Sequence, residues 1–154
     1  MNPLIRTGLL AAALLSANAW AQVKIEQAWA RATVQGQKAT GAFMKITASQ
    51  PLQLVAVSSP VAGVAEIHEM KMEGSVMKMR ALPALDLPAS QAVELKPGGH
   101  HLMLMDLKAP LAPNSSVSLT LTFKDAKGVQ SQQQLSVPVG TGMPAGMPAG
   151  HHKH

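Results

Sequence analysis

The chain has 154 residues, with 13 Lys and Arg against 8 Asp and Glu, a formal charge of +5 and only 3% aromatic residues. The basic residues are scattered and the aromatics are Trp20, Trp29, Phe43 and Phe123, so the clustered charge and stacking rings of a nucleic-acid surface are missing. There is no cysteine, which excludes disulfides, thiolate metal sites and the Cys-plus-His set of a blue-copper electron carrier.

The first 21 residues read as a secretory signal peptide. Arg6 precedes the apolar run Leu9 to Leu15, and small residues follow at Ala17, Ala19 and Ala21; the run is too short for a membrane span. Cleavage is expected after Ala21, with Ala19 as the alternative. It removes Arg6, the single charged residue of that segment, and so lowers the formal charge by one. No cysteine is available for lipid attachment, so a soluble exported product is expected, periplasmic in a bacterium with two membranes.

From residue 22 to 139 the chain has the size of one domain with one core. Strand-like segments succeed each other at Val23 to Ala32, Ala42 to Thr47, Leu52 to Val57, Ala65 to Met72 and Val76 to Arg80. Others follow at Ala92 to Leu95, His101 to Leu107, Val117 to Phe123 and Gln132 to Val137. No segment holds a 3.6-residue apolar period. The clearest strand is Val117 to Phe123, where every odd position is apolar and every even one is Ser or Thr. Turn signals at Ser59-Pro60, Glu73-Gly74, Pro97-Gly98-Gly99, Ala112-Pro113-Asn114 and Lys127-Gly128 punctuate them. Many short strands so spaced predict an all-β, antiparallel sandwich or barrel. From 140 to 154 the composition changes to a doubled Met-Pro-Ala-Gly and His151-His152-Lys153-His154. This segment cannot build a core and is expected to be a disordered tail.

The chemistry concentrates in His68-Glu69-Met70 and His101-Leu102-Met103, with Met79 between them. Residues at alternate positions of a strand share a face, so each H-x-M presents an imidazole and a thioether to one point. Thioether sulfur is soft and selects copper(I). Unlike a thiolate, it survives an oxidising compartment, where its own liability is sulfoxide formation. The same parity groups His68 with Met70 and Met72, and Met77 with Met79. It sets His101, Met103 and Met105 on one face and His100 on the other. Met70 is therefore a reserve ligand, and His100 an accessory candidate pointing away. Met44, Met72, Met77 and Met105 read as packing or surface residues, and Trp29 and Phe43 as core.

Ten residues separate His68 from Met79, twenty-one separate Met79 from His101, and one separates His101 from Met103. This spacing resembles the signature of the PCuAC family of periplasmic copper chaperones. The similarity runs through Ala28 to Thr33, Thr40 to Met44, Ser58 to Pro60, His68-Glu69 and Val76 to Arg80. It continues through Leu95 to Gly99, His101 to Met105 and Leu119 to Phe123. His100 is a departure, standing where related sequences carry an aromatic or apolar residue.

The resemblance implies a single-domain, cupredoxin-like antiparallel β-sandwich of Greek-key type. It implies one copper(I) held by His68, Met79, His101 and Met103. It further implies delivery to the binuclear copper centre of cytochrome oxidase (subunit II), with a Sco-type assembly factor as companion. Some members also hold copper(II) on a His/Met-rich C-terminal extension, here Met143, Met147, His151, His152 and His154. Imidazoles suit copper(II), zinc and nickel alike, so selectivity there is expected to be poor. A monomer is expected. The mature N-terminus, Gln22-Val23-Lys24, has no His at its third position for a copper(II) clip.

The alternative function is copper buffering without a dedicated acceptor, which would use the same ligands. Catalysis is not expected, because Asp86, Asp106, Asp125 and five Glu come without a nucleophile motif, hydrolase spacing or phosphate loop. Four neutral ligands would leave the ion singly charged and ready to pass downhill to a thiolate-rich acceptor. An exposed rim of Met and Pro residues is expected to guide that docking.

Overall fold

The computed structural model describes residues 23–142. The expected leader and most of the expected tail, including Met143, Met147, His151, His152 and His154, lie outside the described residues. Among the described residues ten strands form: β1 (Val23–Arg31), β2 (Ala39–Ala48), β3 (Leu52–Ser58), β4 (Ala62–Glu73) and β5 (Val76–Leu82), then β6 (Leu85–Leu87), β7 (Ala92–Leu95), β8 (His101–Leu107), β9 (Ser116–Asp125) and β10 (Gln130–Gly140). Among the described residues there is no helix long and apolar enough to cross a membrane.

Hydrogen bonding runs in the order β5-β4-β8-β2-β1-β10-β9-β3-β6, with β7 also pairing β2. The pairs are antiparallel except for β1 with β10, which run parallel over Ala30–Val139 and Arg31–Gly140. That short parallel seam joins two halves that fold over a common core, a cupredoxin-like β-sandwich. One half contributes Ala42, Met44, Ile46, Leu102 and Leu104, the other Leu54, Leu119, Leu121, Phe123 and Val137, all fully or nearly fully buried. In β9 the odd residues Val117, Leu119, Leu121 and Phe123 are the buried ones, as the alternation predicts. Met44 packs in the core, while Met72 and Met77 stand exposed.

Three features depart from the sequence expectation. β6 is a strand of only three residues between Pro83 and Pro88, too short to show a period, and it forms because Leu52 and Leu54 pair with Leu87 and Leu85. β10 runs to Gly140, one residue into the expected tail, because Gly140 pairs with Arg31. Phe43 and Trp29 are buried, but on the outer face of the sheet. A bulge lies between Glu26 and Trp29 of β1, where Gln27 adopts a φ of 55°. Ile25 lies opposite core-facing Ile46 before the bulge, and Trp29 lies opposite outward-facing Phe43 after it. One inserted residue swaps the faces of everything that follows, bringing Trp29 and Arg31 to the side that carries the histidines.

Candidate metal centre

β4, β5 and β8 are neighbours at one end of the sheet, and their registers assemble the site. His68 lies opposite His101, and Glu66 opposite Met103; Met70 lies opposite Met79. Directly opposed residues project to the same side. The paired imidazoles therefore have Met70 and Met79 on the hairpin side and Met103 on the other. The His68 and His101 rings are 5.8 Å apart between centroids, tilted by 56°.

Each imidazole is oriented by a hydrogen bond that leaves its other nitrogen free. His68 Nε2 donates to Glu66 Oε2 at 2.7 Å, and its Nδ1 is buried without a partner. His101 Nδ1 donates to the Gly99 carbonyl at 3.0 Å, so in the neutral ring Nε2 carries the lone pair. A buried polar atom without a partner is costly unless a ligand completes it, and one unpaired nitrogen on each of two neighbouring imidazoles suits a metal ion. Burial holds the His101 pKa below the usual histidine value, outweighing the Gly99 hydrogen bond that raises it; the neighbouring His68 and His100 also lower it. Burial thereby favours the neutral form of the ring.

The Gly99 carbonyl is set by the turn between β7 and β8. Those strands lie end to end along β2, pairing Leu95 with Met44 and Leu102 with Ala42. Between them Gly98 takes a φ of 82°, conformational freedom that glycine supplies without strain. Gly99 N–H donates to Lys96 O at 3.0 Å and Lys96 N–H to His100 O at 2.8 Å. The Gly99 carbonyl also receives the Met70 N–H at 3.3 Å, tying the turn to β4.

Beside His101 stands an aromatic shelf. The Phe43 ring lies 6.4 Å from His101 and 4.9 Å from Trp29, with the Arg31 guanidinium 5.5 Å above it. Gly41, opposite Met103, makes room for this ring, since a Cβ there would sit 2.7 Å from Phe43 Cζ. The adjoining cleft, of about 310 Å³, is lined by residues that include Met70, Met79, Met103, His101, Pro97 and Phe43, with His68 buried outside that lining. Exposed Met79 and Pro97 both line this cleft, while exposed Met72 and Met77 lie further along the β4–β5 hairpin.

The structure thus brings His68, Met79, His101, Met103 and Met70 to one face. His100 is placed elsewhere. Its Nε2 lies 3.4 Å from Glu69 Oε2, and Glu69 belongs with Ile67 to the opposite side of β4, where it pairs with Arg80. That Arg80 hydrogen bond holds the Glu69 carboxyl below the usual range. Among the described residues no three His, Cys, Asp or Glu side chains converge as a metal site, so a complete donor set here needs the thioethers.

Sequence reasoning missed Glu66, although its place two residues before His68 was a usable signal, because alternate strand residues share a face. It also missed the Gly99 carbonyl and the Gly41–Phe43 arrangement, which depend on pairing between distant segments.

Residues 23–139 match the family described as "Putative lipoprotein LpqE-like". The chain belongs to this family. It is 34% identical over 118 residues to the "Putative lipoprotein Lxx21020" of Leifsonia xyli subsp. xyli, covering 76% of this chain and 69% of that protein. Among solved structures it is similar to the copper-bound PCuAC domain from PmoF2, at 24% identity and a TM-score of 0.62, over 79% of this chain and 95% of that one. It is also similar to the CuI-DR1885 solution structure from Deinococcus radiodurans, at 28% identity and a TM-score of 0.57, over 85% and 86% of the two chains. The PCuAC-type recognition drawn from ligand spacing is borne out in family and in fold.

Proposed function

We propose that this PCuAC-type domain is an exported copper carrier. It holds one copper(I) through His68, Met79, His101 and Met103 and passes it to a thiolate-bearing acceptor. The acceptor we infer is the binuclear copper centre of cytochrome oxidase, reached with or without a Sco-type factor. The observation that carries the reading is the imidazole pair, each ring held at one nitrogen by a protein acceptor and unpaired at the other, with thioethers on both sides. The copper-bound state named for two similar structures supports it. The lipoprotein description of the family and of its Leifsonia member supports export, and the periplasm is the compartment we assign. The tail residues Met143, Met147, His151, His152 and His154 form a secondary copper(II) site in this reading.

Two neutral nitrogens and two neutral sulfurs leave the bound ion with its single positive charge. Thiolates of an acceptor are softer and charged, so transfer runs toward them. The open cleft lets an incoming ligand reach the metal while some original ligands remain attached. The test is a competition titration of the chain with copper(I) against a chromophoric chelator, beside single variants at the four ligands. One tightly bound equivalent, weakened in each variant, is expected. Unchanged binding in the His68 and His101 variants would refute the site. Mixing the loaded protein with a dithiol-bearing oxidase domain then separates a carrier, which gives copper up, from a buffer, which retains it.

A further inference from the structure

The thioether surface does not stop at the imidazole pair. On the β4–β5 hairpin Met70 lies opposite Met79 and Met72 opposite Met77, and these two pairs are adjacent along one face. Four thioethers therefore form a two-by-two block running from the histidines toward the hairpin tip at Gly74, which turns with a φ of 64°. The register pairs of the other face are Glu69–Arg80, Lys71–Lys78 and Glu73–Val76, with Lys78 bonded to Glu73 at 2.9 Å. Beyond His68 toward the tip, charge is thus confined to one side of the hairpin and sulfur to the other.

Packing does not account for the outer pair. Met72 and Met77 are 54% and 47% exposed, so neither fills a core, and β5 is the terminal strand of the sheet. Single exposed apolar residues are ordinary, but opposed thioethers in alternate register pairs, successive on one face and without a carboxylate among them, make a donor set. Opposed side chains start about 5 Å apart at Cβ, close enough for flexible methionine side chains to converge on one ion.

We propose that Met70, Met72 and Met77 form a second soft-metal site, an all-thioether station for copper(I) or silver(I) adjoining the His68–His101 centre. Met79, shared by position between the two, would be the ligand exchanged when an ion steps from one to the other. The donors are neutral and soft, so the station takes a monovalent d10 ion and discriminates against zinc, calcium and magnesium. It lacks imidazole and is therefore the weaker of the two. Its place at the exposed sheet edge makes it the point where an ion enters or leaves. This goes beyond the carrier reading, since Met72 and Met77 play no part in the central site.

The test is a silver(I) titration of the full chain followed by the resolved methionine methyl signals in a proton–carbon NMR spectrum. The first equivalent is expected to shift Met79 and Met103, and the second Met72 and Met77. In the double variant Met72→Leu/Met77→Leu, which conserves volume at exposed positions and should keep the fold, the first event persists. The second weakens at least tenfold. The proposal is overturned if the second equivalent moves only the tail methyls of Met143 and Met147. It is also overturned if the double variant keeps an unchanged hairpin event, or if zinc(II) shifts Met72 and Met77 as silver does. A first equivalent that leaves Met103 and both imidazoles unmoved would sink the carrier site instead, with Met72 and Met77 still reporting on this one.

Discussion

The same truncation at two methionines should produce opposite outcomes. Met44 is 2% exposed in the core opposite Leu95, so Met44→Ala leaves a cavity and costs about 2–5 kcal/mol. At roughly 2–8 °C per kcal/mol the melting temperature falls on the order of 10 °C, while the folded fraction still binds one copper(I). Met79 is 47% exposed on the terminal strand, so Met79→Ala changes stability by no more than about 0.5 kcal/mol. Loss of a metal donor, however, should weaken binding by at least the roughly 10–100-fold that loss of an outer supporting group costs. That corresponds to about 1.4–2.8 kcal/mol of binding energy. Met70 stands directly opposite and can replace the missing sulfur, so Met79→Ala alone falls at the lower end of that range. Met70→Ala alone has little effect, and the double variant loses more than the sum of the two. Thermal unfolding by circular dichroism and chelator competition read the two quantities separately. Global unfolding of Met79→Ala on the scale of Met44→Ala, or full copper(I) affinity in the double variant, would refute the assignment.

Other perturbations probe the supports of the site. The His101 pKa lies below the usual value of about 6.5 because the ring is buried, so the contribution of His101 to copper(I) affinity should persist down to about pH 6.5 and fall as acid reaches its folded value. For the metal-free fold the sign is the same. The unfolded ring takes up a proton first, so stability present above about pH 6.5 is lost as pH falls through the folded pKa. A melting temperature that rises on acidification relative to His101→Gln would contradict this. Glu66→Gln keeps an acceptor for His68 Nε2 and should leave binding nearly intact, whereas Glu66→Ala frees the ring and weakens binding about 10–100-fold. Nitrogen NMR of His68 should show the Nε2-protonated tautomer in the parent and a mixture in Glu66→Ala; one unchanged tautomer in all three would dismiss the carboxylate's role. Gly41→Ala drives a methyl into the buried Phe43 ring and should cost about 1–3 kcal/mol by overpacking, with weaker copper binding through the displaced His101. An unshifted denaturation midpoint would show that the ring yields freely.

Much of the site was legible because strand parity is a local property. A period of two put His68 with Met70 and His101 with Met103 without knowledge of any partner strand, and the same count turned His100 away. The alternation from Val117 to Phe123 likewise named its own buried face. Turn chemistry was equally local, and Gly74, Gly98, Asn114 and Gly128 all adopt the positive φ that their turns require.

Composition, parity and ligand spacing alone determined an all-β chain with no thiol chemistry and soft donors on defined strand faces. Only the tertiary structure decided which faces meet. The register that sets His68 against His101 and Met70 against Met79 joins segments whose pairing no local pattern encodes. The bulge at Gln27 swaps the faces of β1 and carries Trp29 and Arg31 to the side of the histidines, while β6 forms because β3 offers an edge. Side-chain direction is written residue by residue, but register is a balance among distant strands and core volume. The hydrogen bonds that free one nitrogen on each imidazole exist only once that balance is struck.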